Sequence, residues 1–195
     1  NDSVSRQLAR WIRAVAGPAV PGFDVRLISR RDRFLRGGDH IPFNEAGYPA
    51  VRFTEPVEDF RRQHQDVRGE GDVEYGDVIE AVDFDYVANV ARVNVAAIAG
   101  LALAPGVPDS VVVLTKELTN DTTLRWLAPP DPDVAGYRVV WRETTDAEWK
   151  NKWDVGNILA ITLERLSKDN LIFGGQAVDR DGNASPAVYP KPSRN

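Results

Sequence analysis

Two imidazoles make up the histidine complement of this chain: His40, in Gly38-Asp39-His40-Ile41-Pro42-Phe43, and His64, in Arg62-Gln63-His64-Gln65-Asp66. With no cysteine present, the chain has no thiolate donor, no disulfide and no thiol nucleophile. Any metal would have to be held by imidazole and carboxylate donors, a set that suits zinc. A neutral imidazole gives one lone pair to a metal while its second ring nitrogen is oriented by a carboxylate or carbonyl, and Asp66 is the local candidate to orient His64. A hydrolytic zinc centre also needs several further donors and an open position for water. These residues alone do not supply them.

The totals narrow the partners. The net charge is -5 and the pI near 5.1, which argues against a phosphate backbone as ligand, since nucleic-acid binders carry a basic face. No apolar run of about 18 residues escapes interruption by charge, so no membrane partner is expected. Asn1-Asp2-Ser3 does not read as a signal peptide. The absence of cysteine leaves the compartment open. At 195 residues the chain is long enough for one medium domain or two small ones, and its patterning divides it in two.

Elements must position the histidines. Val4, Leu8, Trp11, Ile12 and Val15 fall at helical spacing over 3–16, with Arg6, Arg10 and Arg13 opposite, and Gly17-Pro18 ends the run. Residues 23–29 read as a strand before a basic loop over 30–36. Residues 41–46 make a short helical turn closed by Gly47, and 49–53 read as a second buried strand. Phe43, Tyr48 and Phe53 are then pocket wall or core, with core the default for aromatics beside a buried strand. A polar, glycine-bearing stretch covers 57–77. Phe84, Val87, Val90, Ile98 and Leu101 describe a long helix over 83–104, stopped by Pro105-Gly106-Val107-Pro108. Beyond that boundary the period shortens to alternating strands at 111–115, 122–127, 136–142, 158–163, 171–178 and 184–189, the rhythm of an antiparallel sandwich.

Two resemblances attach to these patterns. Thr123-Leu124-Arg125-Trp126, then Pro129-Pro130-Asp131 through Gly136-Tyr137-Arg138-Val139, resembles the B and C strands of a fibronectin type III domain, and Asp179-Arg180-Asp181-Gly182-Asn183 resembles its F–G turn. Trp126 should meet Tyr137 or Val139 between the sheets, and Leu171 stands where such domains often carry a corner tyrosine. Trp149 and Trp153, flanked by Lys150 and Lys152, read either as packed sheet face or as a carbohydrate-stacking surface. Asp39-His40-x-Pro42-Phe43 followed by Gly47-x-Pro49-Ala50 resembles the substrate-pocket loop of the co-catalytic zinc aminopeptidases, whose relatives include bacterial leucine aminopeptidases, glutamate carboxypeptidase and glutaminyl cyclase.

The second resemblance implies an α/β fold for 1–106, the C-terminal portion of a doubly wound zinc-exopeptidase domain. An all-β immunoglobulin-like fibronectin type III sandwich would follow over 109–190. It implies His64 as a ligand to one of two zinc ions. Gln63 would stand where the family commonly has a tyrosine that stabilises the oxyanion. Asp39, His40, Phe43 and Tyr48 would shape the substrate pocket, the bland alternative being an Asp39–His40 pair that caps the 41–46 turn. The remaining ligands and the general base of that family lie upstream of the region matched, so the chain is expected to be inert alone and to pair with an N-terminal part of the same enzyme, either in one polypeptide or as a separate chain. The implied activity is hydrolysis of peptide substrates by zinc-activated water, outside the cytosol, in a secreted or periplasmic, bacterial-like setting. Two other readings stay open: a binding or adhesion module that works through the sandwich, and a glutaminyl cyclase-like transferase.

Overall fold

The computed structural model describes residues 2–32 and 37–194. Helix α1 covers Val4–Ala16; the Ser3 hydroxyl caps it by accepting from the Arg6 N–H at 3.4 Å, and a 3-10 turn at Gly17–Ala19 closes it. The short α2, His40–Glu45, lies where a helical turn was expected. Helix α3, Phe84–Leu103, starts on Asp83, whose carboxylate accepts from the Tyr86 N–H at 2.9 Å. Helices α1 and α3 pack closely because residue 100 is glycine: a Cβ there would stand 2.9 Å from both Trp11 Cη2 and Val15 Cγ1. Their shared core is Trp11, Ile12, Ala16, Val20, Val93 and Ala97.

Ahead of α3 a hairpin, β1 (Arg68–Glu70) with β2 (Val73–Tyr75), turns through Gly71 at φ 60 inside the stretch that had read simply as polar. After α3 come β3 (Asp109–Leu114), β4 (Thr122–Leu127), β5 (Gly136–Glu143), β6 (Asn151–Gly156), β7 (Ala160–Leu163), β8 (Leu171–Val178) and β9 (Lys191–Ser193). They form two sheets, ordered β7-β4-β3-β9 and β6-β5-β8, resembling fibronectin type III and immunoglobulin-like sandwiches. Alternate residues of both sheets meet inside, among them Val111, Leu124, Trp126, Tyr137, Val139 and Phe173. The Trp126 and Tyr137 rings sit 5.4 Å apart, the facing pair expected from the sequence. Burial raises the pKa of the Tyr137 phenol. Where a corner tyrosine would bond, the fully buried Thr122 hydroxyl instead donates to the Leu166 carbonyl at 2.6 Å.

Three expectations are corrected. Residues 23–29 and 49–53 form no ladder, and among the described residues before Arg68 there is no strand, so the described residues show no doubly wound parallel sheet. A parallel strand needs neighbours to take its N–H and C=O groups. None is provided here, and Phe23, Val25 and Val51 pack against the helix pair instead. The strand expected at 184–189 makes only isolated bridges, Val178 with Ala184 and Gly175 with Val188, because its chain moves on to pair β9 parallel to β3. Strand β6 was not anticipated; its residues are almost all exposed, as an edge strand allows, so no buried alternation marks it.

Candidate functional site

A concavity of about 1170 Å³ lies between α1, the segments on either side of α2, and the edge of the sandwich. His40, Tyr48, Arg52, Tyr86, Arg142 and Asp146 are among the residues that line it. His40 enters it at the start of α2, its Nε2 2.7 Å from the Arg31 carbonyl oxygen, while its Nδ1 is buried without a partner. Such an atom is costly to leave unmade. The bland capping role does not hold: Asp39 occupies the N-cap position of α2, yet its side chain makes no capping bond. The loop is tied down by Asn44, whose amide donates to the Ser5 hydroxyl at 3.0 Å and to the Ala50 carbonyl at 3.2 Å.

The sequence-nominated residues do not all converge. His40 and Tyr48 line the groove; Asp39, Phe43, Gln63 and His64 do not. His64 is exposed, with its backbone in the left-handed region at φ 52. Its imidazole has no hydrogen bond to Asp66 or to any other described residue, so the proposed orienting contact is absent. Phe43 and Tyr48 are 57 % and 63 % exposed and Phe53 is 39 % exposed, which overturns the assignment of these aromatics to the core.

No group of three or more His, Cys, Asp or Glu among the described residues could hold a metal ion. The residues fit zinc only as a partial set. His64 qualifies as one donor, being accessible and uncommitted, and a metal centre would need the others from outside these residues.

One wall of the groove was not foreseen. Arg142, on β5, donates through Nη2 to Asp2 Oδ1 and Oδ2 at 2.9 and 2.8 Å, and Arg10, on α1, donates to Asp2 Oδ1 at 2.5 Å. The Asp2 and Arg142 side chains are 7 % and 4 % exposed. Burial alone would raise the Asp2 pKa, but the Arg10 and Arg142 guanidiniums outweigh it and hold the carboxyl below its ordinary value. Arg142 also lies over the Trp149 ring at 5.3 Å, and the Trp149 indole N–H donates to Gln7 Oε1 at 3.2 Å. Trp149 is therefore committed to the α1 interface, while Trp153 stays half exposed. The two tryptophans do not form a joint stacking surface. Only the buried, non-helical position of Asp2 reveals the clasp, and sequence spacing carries no such signal.

No protein-family model matches the chain. It is 52 % identical over 98 % of its length to a protein from Leptosphaeria maculans, of which it covers 44 %. A protein from Pyrenophora tritici-repentis is 50 % identical over 98 % of the chain, with 40 % of that protein covered, and one from Pyricularia oryzae is 48 % identical over 98 %, with 39 % covered. All three bear the name probable zinc metalloprotease. The chain spans less than half the length of these relatives. Among solved structures, it is similar to an Fn3-like protein from Clostridium thermocellum, 17 % identical over 46 % of this chain and 93 % of that one with a TM-score of 0.35. A titin module from human cardiac muscle is 27 % identical over 43 % and 85 % of the two chains, with a TM-score of 0.34.

Proposed function

We propose that this chain is part of a secreted zinc-dependent exopeptidase of the aminopeptidase type, to which it contributes one metal ligand, His64, and part of the wall of the substrate pocket. The observation that carries the reading is its similarity, over nearly its whole length, to proteins named probable zinc metalloproteases. Zinc, when bound, would polarise the scissile carbonyl and activate water for attack on a peptide. The chain's own part is narrower. His64 offers an uncommitted imidazole, His40 and Tyr48 shape the groove, and Gln63 has an amide able to donate toward an oxyanion.

The exposed apolar side chains support the same reading. Phe84, Val87, Val95, Ile98, Leu101 and Leu103 of α3 are all exposed. By length and composition this helix passes as a membrane span. Its Arg92 lies mid-helix, and its other face is packed on α1, so we assign the bare face to the remainder of the same enzyme rather than to lipid. The unladdered segments 23–29 and 49–53 would become strands by pairing with such a remainder.

The test is metal content and activity of the full-length protein. Two zinc equivalents with chelator-sensitive cleavage of an aminoacyl anilide are expected, and His64→Ala should remove one equivalent. One equivalent with cyclisation of N-terminal glutamine would replace the peptidase by a cyclase-like transferase, and no zinc at all would overturn both.

A further inference from the structure

Three Asn-x-Ser/Thr triplets stand in the sequence: Asn1-Asp2-Ser3, Asn120-Asp121-Thr122 and Asn183-Ala184-Ser185. Such a triplet is an acceptor for N-linked glycan in an exported chain, provided its asparagine ends on the surface with room for a sugar. Asn1 lies outside the described residues. The other two differ sharply.

Asn120 is exposed in the loop between β3 and β4, and its side-chain amide has no partner among the described residues. It borders an open groove of about 480 Å³ with Leu118, Tyr189, Pro190 and Pro192, and Leu118 is 100 % exposed. Asn183 is committed instead. Its Nδ2 donates to Asp179 Oδ2 at 2.7 Å and its N–H donates to Asp179 Oδ1 at 2.8 Å, which closes the turn at Gly182. The hydroxyl residue of its triplet, Ser185, is followed by Pro186, which restricts the backbone of Ser185 to extended conformations.

We propose that Asn120 is an N-glycosylation site and that Asn183 is left bare. The inference rests on the secreted half of the functional reading and not on zinc. In the transfer, the Asn120 amide nitrogen bonds to the anomeric carbon of an oligosaccharide carried on a polyprenyl diphosphate. The carbon–oxygen bond to the diphosphate breaks, the diphosphate leaves with the electron pair, and the amide proton passes to a base of the transferase. Thr122 is fully buried, with its hydroxyl bonded to Leu166, so the transfer precedes the folding of β4. At that stage it is Pro186, directly after the triplet, that keeps Asn183 from the transferase, and the bonds to Asp179 then hold Asn183 in the folded turn.

The experiment uses full-length protein recovered from the medium of a eukaryotic host and treated with a peptide-N-glycosidase in oxygen-18 water. Trypsin places Asn120 in the Glu117–Arg125 peptide and Asn183 in the 181–194 peptide, so each is read separately. Oxygen-18 aspartate at position 120 is expected, with loss of one glycan in Asn120→Gln and no change in Asn183→Gln. An unlabelled Glu117–Arg125 peptide, label at 183, or retention of the protein in the cytosol overturns the proposal. Zinc content measured on the same preparation tells that failure apart from failure of the peptidase reading.

Discussion

Asp2 and Arg142, 140 residues apart in sequence, meet as a buried ion pair in which one guanidinium nitrogen reaches both carboxylate oxygens. The pair fastens the start of α1 to the sandwich. Arg10 on the same carboxylate, Arg10 Nε on the Ala147 carbonyl at 2.6 Å, Arg13 on Glu148 at 2.5 Å, and the Trp11 indole N–H on the Ala184 carbonyl at 2.8 Å extend the contact along one helix face.

Removing one partner of a buried pair leaves the other charge uncompensated, at a cost of about 3–5 kcal/mol. Asp2→Asn should therefore expose α1 to proteolysis and lower the unfolding midpoint far more than Arg13→Gln, whose partners Glu148 and Asp24 are 34 % and 73 % exposed. Limited proteolysis followed by mass spectrometry reads both. Equal effects would mean that the clasp carries no special weight.

Acid should act through the same carboxyl. The folded Asp2 pKa lies below the ordinary 3.8, so its stabilising contribution is present in full above that value and is lost as pH falls through the lower, folded pKa. Wild type should release α1 below about pH 4, as seen by hydrogen exchange of its amides. Asp2→Asn should already be released at neutral pH and should show no such step.

Gly100 tests the helix pair. Valine there would drive two methyl groups into Trp11, which its bond to Ala184 prevents from swinging aside, so Gly100→Val should cost about 1–3 kcal/mol. Thermal melts should show it, while Gly182→Ala, whose φ is 89 in an exposed turn, should perturb the F–G hairpin and leave α1 docked.

Trp126→Ala empties the centre of the sandwich and should cost about 3–5 kcal/mol without changing zinc content. His64→Ala should do the reverse in the full-length protein, leaving the melt nearly unchanged while one zinc equivalent is lost. Loss of zinc in both variants would show that the two regions are not separable.

Most of the sandwich was legible because its central strands answer to their own neighbours: Leu124 and Trp126 on β4 face Tyr137 and Val139 on β5, and alternation finds them, whereas the exposed edge strand β6 and the late strand β9 carry no such pattern. α1 and α3 were legible through their apolar period and the Pro/Gly punctuation that stops them, Gly17-Pro18 and Pro105-Gly106. Segments 23–29 and 49–53 misled because their apolar residues are real but they find no ladder partners among the described residues, so Val25 and Val51 serve the helices instead. For the site, residue type nominated His64 and His40, but whether they share one cavity depends on the path of 49–64, which no local pattern encodes. The clasp of Asp2, Arg10 and Arg142 was missed, and the packing of Trp149 on α1 with it, for the same reason: it joins residues about 140 positions apart.

Trp11 touches α3 through Gly100 and the sandwich through Ala184, 173 positions away. Closing so wide a loop is entropically slow compared with forming a hairpin or extending a helix. The β layers should thus assemble early and the amino-terminal helix seat itself last, which makes the fluorescence of that single indole a clock for the final step of maturation.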